Sequence, residues 1–473
     1  MISIIARKEF LEMTRDGRFR WASVIVSVLL LAALLLGWQH QNDVRRQHEQ
    51  ARRHTRQDWL TQGRKNPHSA AHYGVYAFKP TMPLSWVDRG VDPWVGVASW
   101  LEAHHQNDFQ YRQAQDSTAV QRFGELTGAT VLQLLLPLVI VLLTFGAFSD
   151  ERERGTLRQL LSLGLRRPDL ALGKALGVAG ALGFLIVPAT LAGVLALALS
   201  EQNGALLADG GRILGMTSSY LLYFVAFLGV SLAVSAKAPS SRAALLTLLA
   251  FWIVNGLVAP RAAADLARLV YPAPSAFEFA NKMDAAMKHG IHGDETPEQR
   301  AAALREEVLR RYNVSRLEDL PVDFGGIRLQ AGEEHANTIF DHFYSDLWTT
   351  FRRQETVHRT LAAFAPVLAV RSLSMGFAGT DFTQHTHFAK AAEEYRREIQ
   401  RLMNGDLAEH GKTVQGPYLQ DEALWSKVPE FTYEAPDAGW VLSHQASSLV
   451  LLAAWAAAAA AAAWRAAATQ RVD

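Results

Sequence analysis

Hydrophobic residues are not spread along this chain but gathered into six windows that contain no Asp, Glu, Lys or Arg: 21–38, 129–148, 175–199, 213–235, 243–259 and 446–464. Each approaches the roughly 20 residues a helix needs to cross a hydrocarbon core. The pattern predicts an all-α polytopic membrane protein with six transmembrane helices. The first window is longer than a signal-peptide core, and "LLLGWQHQNDVRRQ" offers no small-x-small cleavage site, so it reads as a retained span. Polarity returns between the windows in unequal pieces. Segments 1–20, 149–174 and 465–473 are short, while 39–128 and 260–445 are long.

The long segments carry helical patterns of their own. "TPEQRAAALREEVLRRY" opens on Thr296 as an N-cap, with Pro297 at the first helical position and Gln299 closing a capping box. Phe340, Phe343, Tyr344, Leu347 and Phe351 recur at helical spacing as one apolar stripe, which Pro366 interrupts. Phe388, Ala391, Tyr395, Ile399 and Leu402 form a second. Such stripes predict a core rather than a ligand groove. "QNDVRRQHEQARRHTRQDWL" is too polar to span anything and extends the first membrane helix, while "HYGVYAFKPTMPLSW" has the composition of a short strand or turn.

The net charge of +1 conceals an asymmetry. Arg7, Lys8, Arg15, Arg18 and Arg20 precede the first window; Arg152, Arg154, Arg158, Arg166, Arg167 and Lys174 lie between the second and third. Lys237 and Arg242 sit between the fourth and fifth, and Arg465 and Arg471 follow the last. The positive-inside rule places all four regions, with both termini, in the cytoplasm. The loop 200–212, with Glu201 and Asp209 against Arg212, falls on the other side, as do 39–128 and 260–445. These two form a mainly helical extracytoplasmic domain.

No energy source is visible within the chain. A phosphate-cradling loop needs Gly-x4-Gly-Lys-Ser/Thr. Before Gly173-Lys174, Pro168 replaces the first glycine, and Ala175 replaces the hydroxyl. The spans hold no acidic or histidine relay; Asn255 and Gln133 are their most polar groups. Gly-x-Ser-x-Gly and His-Glu-x-x-His are absent from the long segments, so nothing marks a hydrolase. Free energy is therefore expected from another subunit.

Leu157, Leu160, Leu161 and Leu163 gather on a short helix bracketed by Glu151, Arg152, Glu153 and Arg154, suited to lie in the interface plane and face a partner. Here the chain resembles the ABC-2 transporter permeases. They carry a similar charged run, then Gly-Thr-Leu, leucines and Gly-Lys, matched by "ERERGTLRQLL" at 151–161 and "LGK" at 172–174. The leader "ARKEFLEMTRDGRFRW" resembles their amphipathic connecting helix. The long insertions resemble a branch that carries a domain of unknown function, through "HYGVYAFKP", "DRGVDPWVGVASWLEAHHQN" and "AGTDFTQHTHFAKAAEEYRREI".

The resemblance implies the permease subunit of an ATP-driven exporter in a bacterial inner membrane. Its coupling helix, Glu151, Arg152, Glu153, Arg154, Gly155, Thr156 and Leu157, would dock on a cytoplasmic ATP-binding subunit. Two such subunits would pair with a second permease copy or paralogue. This chain would hold no cofactor and perform no catalysis, with ATP and Mg bound by the partner. Membrane lipid and an envelope protein are further partners, and no nucleic acid is expected. Two other readings stand beside this one: a mechanotransmission or assembly protein that moves its outer domain without transport, and a membrane-anchored ligand sensor.

All sixteen histidines fall in the two long segments. His385 with His387, His104 with His105, and His289 with His292 are the tempting metal pairs. His-x-His puts both rings on one side only in a strand, and 383–402 reads as helix. Solvated surface histidine and no metal site is the expectation. With no cysteine, disulfides and thiolate ligands are excluded.

Overall fold

The computed structural model describes residues 1–116, 126–198, 209–413 and 416–470. Glu201 and Arg471, used above for orientation, lie outside the described residues. The all-α polytopic fold is observed. Among the described residues six helices are long and apolar enough to cross a membrane: Gly17–Leu60, Gly128–Glu153, Arg167–Leu195, Gly210–Lys237, Ser241–Val270 and Ala438–Ala468. The fourth and sixth pack closely, and a Cβ on Gly229 would come within 2.8 Å of the Ala459 Cβ. Small residues allow that approach where lipid offers no hydrophobic drive for association.

Two spans are interrupted in the same way. Val131–Leu135 in the second and Val254–Val258 in the fifth are π-helical turns, and Pro137 and Pro260 follow them. A proline lacks the amide N–H, and its ring clashes with the carbonyl four residues earlier. Widening the turn relieves the clash and frees backbone groups for other partners. The Gln133 carbonyl accepts from the Tyr223 hydroxyl at 3.0 Å.

Gln133 and Asn255 both sit in these turns, and a polar thread runs through them. Asn255 Nδ2 donates to the Tyr223 hydroxyl at 3.1 Å, and Gln133 Nε2 to the Tyr220 hydroxyl at 3.1 Å. Tyr220 meets the Ser374 hydroxyl at 2.8 Å, and Ser374 donates to Asp88 Oδ2 at 2.5 Å. The six apolar windows hold no acidic residue, but the first long segment delivers Asp88 against their core, buried, where desolvation pushes its carboxyl pKa upward.

The long segments build a crown at one end. The first helix continues unbroken to Leu60, about 66 Å in all. Val75–Phe78 (β1) pairs antiparallel with Ala98–Leu101 (β2). Helices Phe324–Leu361 and Phe382–His410 pack on each other and on the first long segment. One core joins Trp59, Ala77, Leu101, Phe388, Tyr395, Ile399, Met403 and Trp425. The Thr296–Gln299 capping box is present.

Of the two stripes, the second faces this core, with Ala391 and Leu402 at its margin. In the first only Phe340 is fully buried, while Phe343 and Tyr344 are half-buried against Phe279. Helix Pro366–Ala378, within the segment assigned wholly outside, is wedged between the fourth and sixth spans. Val367 N–H donates to Asn255 Oδ1 at 3.2 Å, and Trp455 Nε1 to the Ala362 carbonyl at 3.0 Å. Its thirteen residues are too few to register as a span.

Candidate functional site

At the end of the bundle away from the crown, the chain between the second and third spans folds as a helical hairpin. Ser149–Glu153 and Thr156–Ser162 are its two short helices. Gly155 joins them at φ 72°, a left-handed conformation in open space, so the glycine answers a backbone need rather than a close contact. Thr156 Oγ1 donates back to the Glu151 carbonyl at 3.1 Å and closes the turn.

The hairpin is tied to the ends of the spans, and each tie has the sign the helix terminus requires. The fourth span ends near Lys237, and Arg152 donates to the carbonyls of Ala236 and Ala238 there. The fifth begins at Ser241, whose N–H and hydroxyl donate to Glu153 at 2.8 and 2.9 Å; its hydroxyl also reaches Asp150. Arg167 donates to the Ala468 carbonyl at the end of the sixth, at 3.0 Å. The Ser235 hydroxyl accepts from the Phe148 N–H at 3.0 Å. Leu157 is fully buried beside Ile5, Phe148, Leu232 and Ala466.

The leader helix Ile2–Arg15 lies along the start of the third span, Arg167–Ala198. A Cβ on Gly173 would stand 2.6 Å from the Ile5 Cβ, and one on Gly177 would stand 2.5 Å from the Glu9 Cβ. In this narrow seam Lys174 Nζ, 1% exposed, lies 2.8 Å from both Glu9 Oε1 and Glu151 Oε1. Lys8 stands outside the pair, 3.3 Å from Glu9, 3.1 Å from Glu12 and 3.5 Å from Glu151. Burial works against its charge, but these carboxylates outweigh it and raise the Lys8 pKa.

The predicted docking residues thus divide. Glu151 and Arg152 are half-buried and Leu157 is buried, while Glu153 is exposed yet bonded to Ser241. Arg154, Gly155 and Thr156 are exposed, with Gln159, Ser162 and Leu163 continuing the outer face. Leu163, read as part of the leucine cluster, is 79% exposed. Lys174 was visible as the lysine entering the third span. Its partner Glu9 lies 165 residues away, and no local pattern joins them.

His385 and His387 separate as helical geometry requires. His385 is buried rather than solvated, 6% exposed, with its ring against Phe109 and Phe382. His387 meets the Tyr433 hydroxyl at 2.9 Å on another face.

Residues 277–434 match the model of a family described as a domain of unknown function, DUF3526. Over 125 residues, 25% of the chain, the sequence is 36% identical to a probable ABC transporter permease protein, NosY, of Pseudomonas aeruginosa. The match spans 43% of that relative's length. A polytopic bundle with a partial likeness to a permease is where the comparisons bring this chain.

Proposed function

We propose that the chain is the membrane-spanning subunit of an ATP-binding cassette transporter, driven by a separate ATP-binding subunit that docks on the hairpin 149–164. The observation that carries this reading is the wiring of the hairpin. One side is bonded to the leader helix and to the ends of the third, fourth and fifth spans, and the other presents Arg154, Thr156, Gln159 and Leu163. A push on the open side therefore reaches several spans together. The partial likeness to a permease supports the same assignment. Pairing of two such subunits with two ATP-binding subunits, a bacterial inner-membrane setting with the crown outside, and outward transport follow from the family resemblance.

A second reading has one observation in its favour. Helix Pro366–Ala378 keys the crown into the bundle, so span motion would move the crown even if nothing crossed the bilayer. The test uses the full chain co-expressed with a candidate ATP-binding subunit from the same genome. Arg154→Glu with Leu163→Asp should abolish co-purification of that subunit while the chain still inserts and melts as wild type. Unchanged co-purification and ATPase activity would refute docking on the hairpin. Substrate-stimulated uptake in inverted vesicles separates transport from force transmission alone.

A further inference from the structure

Three histidines of the first long segment meet in the crown. His68 lies on the short helix Pro67–Ala71, His72 follows its end, and His104 sits in the turn after β2. One ligand nitrogen from each falls within 4.8 Å of the others. His68 Nε2 and His104 Nε2 are 3.2 Å apart.

The protons on these rings follow from their neighbours. An ionised carboxylate only accepts, so Glu334 takes the Gln330 Nε2–H at 3.1 Å, leaving Gln330 Oε1 to accept from Asn404 Nδ2 at 3.1 Å. Asn404 Oδ1 then faces His68 Nδ1 at 2.8 Å and requires a proton there. His104 Nδ1 stands 2.5 Å from Oε1 of Glu333, a carboxylate 1% exposed. That oxygen has no well-aligned hydrogen bond, so ion pairing alone meets its charge. Glu333 Oε2 accepts from the His104 backbone N–H at 3.1 Å and from Gln400 Nε2 at 2.5 Å. With Nδ1 protonated in both rings, the two Nε2 atoms face each other across 3.2 Å, a separation bridged either by one further proton on Nε2 or by a metal cation.

We propose that His68, His72 and His104 bind one divalent late-transition-metal ion of the zinc type through their ring nitrogens, with the fourth coordination position open to solvent. Tetrahedral ligands at 2.0–2.1 Å from zinc stand about 3.3 Å from one another, close to the observed separation. Imidazole suits zinc and its neighbours, and the chain has no thiolate to compete. Asn404 and Glu333 orient the two rings as outer-shell partners of metal-bound histidines do. His104 itself adopts φ 69°, a left-handed conformation that a non-glycine residue holds only where its surroundings demand it. The exposed His72 leaves the ion in contact with solvent, unlike a closed structural site.

The site joins the two long segments, because the ligands come from one and their orienting partners from the other. The test uses the full-length protein in detergent, stripped with chelator, reloaded with zinc and desalted. One equivalent of zinc per chain should remain, and cobalt in its place should give the intense visible absorption of a tetrahedral ion. His72→Ala, at an exposed position that leaves the fold intact, should weaken zinc binding by at least about 100-fold, and Glu333→Gln by roughly 10–100-fold. His54→Ala, at an exposed histidine elsewhere, should change nothing. A natively melting wild type that retains no zinc, or a His72→Ala protein that retains a full equivalent, overturns the proposal.

Discussion

Lys174→Met removes the one cation buried between Glu9 and Glu151. Each ion pair, at 2.8 Å, is worth about 6 kcal/mol of attraction at an effective dielectric of about 20. Desolvation of three charged groups offsets most of that, so the intact cluster contributes little net stability. Removal is different, because both carboxylates lose their buried partner, and breaking such a pair typically costs about 3–5 kcal/mol. Lys8 remains 3.3 Å from Glu9 and 3.5 Å from Glu151, which moves the expectation to the lower end, about 3 kcal/mol. The assay is the tryptophan-emission melt of the full chain in detergent, which carries 12 Trp. Lys174→Met should melt well below wild type, and the triple variant with Glu9→Gln and Glu151→Gln should recover most of the loss. If the single variant melts as wild type, or the triple variant is no more stable than the single, then uncompensated charge is not what the seam stores.

Phe388→Ala should cost about 3–5 kcal/mol, because its buried ring packs on Phe109, Phe431 and Tyr433; limited proteolysis would show the crown opening around intact spans. Burial lowers His385 to about 3. The unfolded chain therefore gains its proton near pH 6.5 while the folded one does not, and stability falls as pH drops from about 6.5 toward 3. His385→Phe, which keeps the aromatic contacts, should remove about 2 kcal/mol of the loss seen between pH 7 and pH 5 in thermal melts; an unchanged acid profile would contradict this. Gly155→Ala should cost about 1–2 kcal/mol through its positive φ alone and leave the leader helix docked. Gly177→Leu should push that helix away, since even a Cβ there would overlap Glu9; limited proteolysis of the leader should leave it protected in the first variant and cleave it in the second.

Six spans were legible because each concentrates about twenty apolar residues in one uninterrupted window, and nothing else does so. Helix Pro366–Ala378 was not, since thirteen residues fall short of that length and its partners Asn255 and Tyr220 lie more than a hundred residues away. The leucines and charges of 150–163 were read as one short helix with flanking charges, whereas they form two helices that turn at Gly155. Glu151 is drawn inward and Leu163 left outside because exposure depends on Lys174, Glu9 and the ends of the neighbouring spans rather than on the local pattern. The histidines show the same limit. Adjacent pairs such as His385 and His387 drew attention by spacing, whereas His68, His72 and His104 are gathered by the antiparallel pairing of β1 with β2 and by the helices packed over them. Short-range periodicity reports which face of an element is apolar; it cannot report what another part of the chain brings to that face.

The fourth span ties the two ends of the molecule together. Near one end Ser235 and the Ala236 carbonyl hold the hairpin. Near the other Arg212, buried, donates to the carbonyls of Gly376, Phe377 and Pro436 and to the Gln384 side chain. From Arg212 to Ser235 the helix runs unbroken for about 35 Å. A helix of that length moves as a rod, and rigid elements carry displacement where packed side chains alone would absorb it. The middle of the rod is not smooth: Tyr220 and Tyr223 bond to Gln133 and Asn255, in the two π turns that the prolines create. Those turns are the points at which the second and fifth spans can change their backbone bonding without breaking a regular helix. A force applied at the hairpin therefore meets a stiff fourth span flanked by two yielding ones. The hydroxyl contacts of Tyr220 and Tyr223 are what join the rod to those turns, and through Ser374 to the wedge 366–378.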